Sequence, residues 1–310
     1  MKDGVIFAGT ANPELAAAIA AELGMPLGSC TVERFPDGET SVQLLDLVRR
    51  KEVFLVQSVA PPVNDNLVEL LALVDACRRA SAARVTAVVP YFGYARSDKK
   101  HGRREPIMGR VVADVLEAVG VDHVITVDLH APQIEGFFRI PVDALTAVPT
   151  LCTALREEVP VGVVVVAPDA GALRMATDYA HRLKGSVAVA HKRRESGTMT
   201  HVTHVVGEIA GKPCLIVDDM ISTGGTIASC VDALLKAGAQ PAITIAATHG
   251  LLLPGAREKL SHDAVKKVFI TDTIGAAPKD WSLLQVVSLA PVIAGALRRF
   301  LEHRSLGDLY

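Results

Sequence analysis

The sequence predicts an α/β protein of two tandem domains, each a mainly parallel sheet flanked by helices. Three observations carry this reading. Short β-branched runs alternate with helix-patterned segments along the whole chain, the order that yields parallel strands joined by helical crossovers. Half of the residues are hydrophobic but only 4% are aromatic, which suits strands buried on both faces better than a sandwich rich in aromatic pairs. The length of 310 residues exceeds what one core usually supports, so two domains are expected.

Strands are expected near 4–9, 53–58, 84–90, 122–128, 161–167, 187–191, 213–218, 242–248, 267–271 and 285–289, and helices over stretches such as 13–23 and 64–80. Pro13 and Pro106 look like first-turn prolines, while Gly24, Gly120 and Gly238 sit where helices should stop. The pattern runs twice: VITVDLH at 124–130 and LIVDDM at 215–220 each end an apolar strand in an acid, with a Pro-containing junction near 141–149 between them. The domains are therefore drawn as 1–145 and 146–310, and the last helix, about 290–303, could pack back on either one.

A formal net charge of -2 gives no broad electrostatic footprint for nucleic acid, so basic chemistry must be local. Cys30, Cys77, Cys152, Cys214 and Cys230 form an odd set without close pairs or metal-type spacing, and are expected to be reduced. No stretch approaches 18 uninterrupted apolar residues, so the expectation is a soluble cytoplasmic protein without a membrane partner. GxxxxGK[ST] does not occur; a nucleotide would have to be held other than by a P-loop.

CLIVDDMISTGGT at 214–226 is the most informative segment. Leu215, Ile216 and Val217 suit a buried parallel strand, whose carboxyl end opens into the crevice where such sheets bind ligands. Asp218 and Asp219 can there accept hydrogen bonds from sugar hydroxyls. Ser222, Thr223, Gly224, Gly225 and Thr226 then offer hydroxyls, open backbone N–H groups and the positive end of the following helix to a phosphate. The ordered set reads as a site for a phosphorylated pentose.

VDDMISTGGT closely resembles the signature shared by type I phosphoribosyltransferases and ribose-phosphate diphosphokinases. The rest of the chain separates the two, because RFPDGE (34–39), YARSDKKHGRREPI (94–107), VDLHAPQIEGFF (127–138), APDAGALR (167–174) and HKRR (191–194) resemble the diphosphokinases in matching order. This resemblance implies two phosphoribosyltransferase-like domains, of which only the second keeps the sugar-phosphate loop. It also implies transfer of the diphosphoryl group of ATP to the 1-hydroxyl of ribose 5-phosphate, with Mg2+ as cofactor, and a homo-oligomer built from dimers, commonly a hexamer. A phosphoribosyltransferase and a non-catalytic subunit associated with a synthetase are the alternatives; the tandem domains argue against the first, and the retained loop residues against the second.

In the family so resembled, the loop matching Phe35, Asp37, Gly38 and Glu39 holds the adenine of a neighbouring subunit's ATP: the ring can stack on the base while the acids accept from its amino group. Arg96, Ser97, Asp98 and Lys99 follow a strand and bring cations to the nucleotide phosphates. Ser97 stands where most relatives carry Gln, which bears on nucleotide selectivity. His130 lies two residues beyond Asp128, so on a strand the two would share a face and could converge on one ion; the resemblance assigns the metal to this histidine, with Asp169 serving a second ion or the sugar. Arg139 departs from an acid common in that neighbourhood, and Leu47 from a hydroxyl common in phosphate-regulated relatives.

Lys192 and Arg194 are the candidate catalytic residues. They alternate along an extended segment ahead of Gly197 and so project to one side, where a closing loop could set cations against the charge that develops during phosphoryl-type transfer. Arg194 is also a candidate for the ribose 5-phosphate. Trp281 is expected to pack on a domain surface.

Overall fold

Parallel ladders built from the predicted apolar runs dominate the computed structural model, which describes residues 4–100, 102–194, 200–275 and 277–307, apart from the side chains of 191–194 and 200–203. The chain divides into two units. The first contains the residues up to Thr146, a short segment from Thr273 and the residues from Ser288; the second contains Ala147–Asp272 and a segment ending at Val287.

The first unit runs β1 (Gly4–Ala8), α1 (Pro13–Leu23), β2 (Cys30–Arg34), β3 (Thr40–Leu44), β4 (Glu52–Val56), α2 (Val63–Arg79), β5 (Arg84–Val89), α3 (Met108–Val119), β6 (His123–Val127), a 3-10 turn (Pro132–Phe137) and β7 (Val142–Leu145). Its five-stranded sheet has the order β1-β4-β5-β6-β7, and every pairing is parallel. β4 and β6 are buried at every position, as expected of strands covered on both faces. Local signals set α1 closely: the Asn12 side chain accepts the Leu15 N–H (3.2 Å), Pro13 opens the first turn, and Gly24 ends the helix in the left-handed region at φ 67°. On α2, Leu70, Leu73, Val74 and Cys77 are buried at helical spacing.

The C-terminal helix, Ala290–Leu301, belongs to this first unit and packs on α1. Phe300 near its end meets Phe54 edge-on at 5.8 Å and the His123 ring at 5.2 Å, while the Arg84 guanidinium lies 4.7 Å from its centroid.

The second unit continues with α4 (Val148–Leu155), β8 (Val164–Ala167), a 3-10 turn (Ala170–Ala172), α5 (Leu173–Leu183), β9 (Ser186–Arg194), β10 (Thr200–Val206), β11 (Cys214–Ile221), α6 (Gly225–Lys236), β12 (Ile243–Gly250), α7 (Ala256–Leu260), β13 (Val265–Thr271) and β14 (Leu284–Val287); the C-terminal helix comes after them as α8. Its seven strands have the order β10-β9-β8-β11-β12-β13-β14, parallel throughout except for the β9–β10 pair. After β8 the chain builds β9 and β10 on one side, then returns to place β11 on the other. That reversal makes the carboxyl ends of β8 and β11 a topological switch point, where open α/β sheets bind ligands.

The structure departs from the sequence reading in several elements. Pro106 precedes the first helical residue of α3 by two positions, and Ile107 caps the helix instead. The strands β2, β3, β7 and β10 have no counterpart in the expected set. β2 and β3 form a separate two-stranded antiparallel sheet, and their half-exposed, polar sequences lack the apolar run that marks a core strand. Trp281 packs as expected, and more deeply than against a surface, within the core of the second unit. All five cysteines are unbridged, four of them buried.

Candidate active site

β8 ends at Ala167 and pairs with β11 only as far as Val166 opposite Ile216, whereas β11 continues along β12 to Ile221. The acids of β11 therefore lie inside the strand, with Met220 and Ile221 beyond them, but past the end of β8. One edge of β11 is left open beside Asp218 and Asp219, and Asp169 stands two residues after β8 on that side.

Burial, the Asp219 carboxylate and its hydrogen bond, and the more distant Asp169 carboxylate together push the Asp218 carboxyl well above the ordinary carboxylate range. Asp218 Oδ1 also accepts the Asp219 N–H at 3.0 Å. Asp169 is held in place by its role as a cap, its Oδ1 accepting from Gly171 N (2.9 Å) and Ala172 N (3.3 Å).

Ser222, Thr223 and Gly224 form the turn after β11, and Gly225 and Thr226 open the first turn of α6. Gly224 is required here. Its φ is +72°, and a Cβ would come within 3.3 Å of the Ala256 carbonyl oxygen and of Leu260 Cγ. The turn ends in a 12-residue helix, whose free N–H groups and dipole favour an anion.

The donor chemistry of this cluster suits Mg2+. This ion usually keeps waters and substrate phosphates and draws on one or two protein carboxylates. Asp218, Asp219 and Asp169 supply such oxygens; burial first, and then the neighbouring carboxylates, raise the Asp218 carboxyl, and a bound cation offsets both costs, so the residues fit the ion. Among the described residues no group of three or more His, Cys, Asp or Glu is placed to hold a metal ion, so substrate phosphates and water would complete the coordination.

The other predicted metal residues lie in the first unit and do not share a strand face. β6 stops at Val127; Asp128 comes next at φ +36°, and His130 is exposed two residues on. The period-two argument for their convergence fails because the backbone has already turned. Arg139, nearby in sequence, pairs with Glu117 at 3.8 Å, and its backbone N–H donates to the same carboxylate.

The expected nucleotide residues occupy two loops of the first unit. Phe35, Asp37, Gly38 and Glu39 form the tip of the β2–β3 hairpin, where Phe35 N donates to Glu39 O (2.8 Å), Gly38 N to Phe35 O (2.9 Å) and Glu39 N to Asp37 Oδ1 (3.1 Å). Phe35 is 52% exposed, so its ring is open to stack on a base. Arg34 anchors the hairpin to α2 through Asp65 at 2.7 Å. After β5, Arg96 and Lys99 are exposed and Asp98 is buried, accepting from Gln133 Nε2. Ser97 satisfies two N–H groups of the first turn of α3: its hydroxyl accepts from Met108 (3.1 Å) and its carbonyl from Gly109 (3.0 Å), tying the middle of this loop to that helix.

Lys192 and Arg194 lie at the end of β9, opposite Val202 and Thr200 of β10. Their side chains, with Gly197, lie outside the described residues.

Comparison with known proteins agrees with this geometry. Residues 4–120 match the N-terminal domain of ribose phosphate pyrophosphokinase, and 154–282 match the phosphoribosyl transferase domain. Ribose-phosphate pyrophosphokinase of Clostridium tetani is 43% identical over 98% of this chain and 96% of its own. The chain belongs to the ribose-phosphate pyrophosphokinase family. The Pasteurella multocida member is 43% identical across 100% of both chains. The crystal structure of phosphoribosylpyrophosphate synthetase from Mycobacterium smegmatis matches with a TM-score of 0.91 at 41% identity, covering 97% of this chain and 100% of that one. The family fold is thus shared end to end.

Sequence reasoning missed the support beneath the turn after β11. Lys259 Nζ donates to the Thr223 carbonyl at 3.1 Å from a position 36 residues away. No local pattern could have signalled that contact.

Proposed function

We propose that the protein transfers the diphosphoryl group of ATP to the 1-hydroxyl of ribose 5-phosphate, giving 5-phosphoribosyl 1-diphosphate and AMP. The observation that carries this reading is the β11–α6 turn, where Asp218 and Asp219 precede a glycine-bearing turn and a helix N-terminus at the switch point of the second sheet. The carboxyl groups take the ribose hydroxyls, and residues 222–226 take the 5-phosphate. Both ends of the sugar are thereby fixed, which is the larger part of what phosphoryl-type transfer asks of a protein.

The 1-hydroxyl oxygen forms a bond to the β-phosphorus as the bond from that phosphorus to the bridging oxygen of AMP breaks, and the hydroxyl proton leaves to water. Lys192 and Arg194 set positive charge against the transferring oxygens. Arg96 and Lys99 bind the nucleotide phosphates, with Asp98 held beside them by Gln133 and Ser97 pinning the loop to α3. Phe35 stacks on adenine, and Asp37 and Glu39 accept from its amino group, the hairpin of one copy serving the nucleotide of another. Mg2+, held by Asp169 with Asp218, would neutralise the triphosphate and polarise its oxygens; His130 is a candidate for the metal through the family resemblance alone.

This reading carries a homo-oligomer, a hexamer built from dimers, working in the cytoplasm. Among the described residues no helix is long and apolar enough to cross a membrane. Incubation with ATP and Mg2+ should yield AMP only when ribose 5-phosphate is present. Release of pyrophosphate that depends on a purine or pyrimidine base would favour a phosphoribosyltransferase instead. Lys192→Ala should lower turnover by about two orders of magnitude or more while leaving ribose 5-phosphate binding largely intact; unchanged turnover removes Lys192 from the chemistry.

A further inference from the structure

The carbonyls of Ile221, Ser222 and Thr223 are held by the segment that follows β12, and that of Gly224 by α6 itself. Ile221 O accepts from Leu252 N (3.0 Å), Ser222 O from Leu253 N (3.0 Å), Thr223 O from Lys259 Nζ (3.1 Å), and Gly224 O from Ala228 N (2.9 Å). Four consecutive carbonyls are therefore engaged, three of them by backbone and one by a side chain. The segment that supplies the first two donors is itself unusual: Leu252 has φ +44°, a conformation that costs a bulky L-residue of order 1–3 kcal/mol and persists only where the surroundings demand it. Gly224 lies against the same α7 that carries Lys259, with space for a Cβ denied by Ala256 and Leu260.

A trans peptide holds its carbonyl and its N–H on opposite sides of the chain. The group that captures the Thr223 carbonyl therefore also aims the Gly224 N–H away from α7. Lys259 is exposed, and its ammonium is satisfied by that carbonyl rather than by a carboxylate among the described residues. The Thr223–Gly224 peptide is thus the one member of the series whose direction depends on a charged side chain.

We infer that Lys259 is a positioning residue for the ribose 5-phosphate site: by holding the Thr223 carbonyl it turns the Gly224 N–H toward the 5-phosphate and sets a positive charge behind the turn. This rests on the reading of residues 222–226 as the phosphate grip. It assigns Lys259 no contact with the reacting atoms, so its loss falls on binding of the sugar phosphate and not on turnover.

Steady-state AMP formation by the full-length protein tests it. Lys259→Met keeps the length of the side chain and removes the charge; it should raise KM for ribose 5-phosphate about tenfold, the order of one charge-assisted hydrogen bond. kcat and KM for ATP should stay within about twofold. Lys259→Arg should restore most of the lost affinity. Lys266→Met is the matched control, because that lysine is also held by a backbone carbonyl, Asp263 O at 2.9 Å, but away from the turn; its parameters should equal those of the wild type. An unchanged KM for ribose 5-phosphate in Lys259→Met, or a loss confined to kcat, overturns the inference. Absence of ribose 5-phosphate-dependent AMP from the wild type overturns instead the proposed function on which it rests.

Discussion

β6 and β11 each lead an apolar strand into an acid, yet the chain leaves the two acids by different routes. After β6 it turns at Asp128 with φ +36° and enters a 3-10 turn at Pro132. After β11 it passes through Gly224 at φ +72° into the 12 residues of α6. Only the second ending offers a run of aligned peptide dipoles to an anion, because a short 3-10 turn has too few. Sheet order deepens the contrast. In the first sheet the strands keep chain order from β4 through β7, whereas β11 sits where the order reverses around β8. The difference teaches why the proposed sugar-phosphate site falls at β11: only there does the order of the sheet open a crevice beside the acids and a helix start follow them.

The strongest way to break this comparison is Gly224→Val. A β-branched residue at positive φ costs about 1–3 kcal/mol, and its Cβ would crowd Ala256 and Leu260. KM for ribose 5-phosphate should rise about a hundredfold, read from AMP formation, while calorimetric affinity for ATP changes little. Loss of ATP affinity alone would mean that the two substrates had been assigned to the wrong units.

Asp218→Asn sharpens it next. Burial with the neighbouring Asp219 and Asp169 raises the Asp218 carboxyl, so between its unfolded and folded values the native state binds more protons than the unfolded chain. Stability is then fully present below the unfolded value and is lost as pH rises through the folded one. The Asn variant escapes that loss. It should melt higher than the wild type at about pH 8, with the gain vanishing below the ordinary Asp value of about 4, while its KM for ribose 5-phosphate rises at every pH. A melting difference that did not change with pH would remove the carboxylate cluster as its cause.

Gly136→Ala gives the smallest effect. Gly136 lies in the 3-10 turn after β6, and a Cβ there would meet nothing within 4 Å. Stability should stay within about 0.5 kcal/mol, and KM for ribose 5-phosphate should not move; a large loss of sugar-phosphate affinity would show that the first unit's strand end also takes part in that site.

Much of the fold was legible because its signals are local. Asn12, Pro13 and Gly24 bound α1, and the apolar period of α2 bounded Val63–Arg79 against an expected 64–80. The β2–β3 hairpin was missed although Asp37–Gly38 between alternating residues is a turn signal; its strands pair with each other rather than with the main sheet, so neither carries a buried apolar run. At the site, residues 218–226 were named from the chain alone, since strand, acids, small residues and helix succeed one another in order. Asp128 and His130 share a face only if the chain stays extended past the expected strand end at 128, and nothing in VDLH announces that the backbone turns at Asp128.

By itself the sequence determined where strands and helices form and which residues end them, because periodicity, caps and glycine freedom act over a few residues. Tertiary structure decided that β11 lies beside β8, that burial, with Asp219 and Asp169 alongside, raises the Asp218 carboxyl, and that Lys259 reaches the Thr223 carbonyl. Those outcomes depend on strand order and on contacts between segments distant along the chain, and pairing of that kind is set by the packing of whole elements rather than by any residue's neighbours.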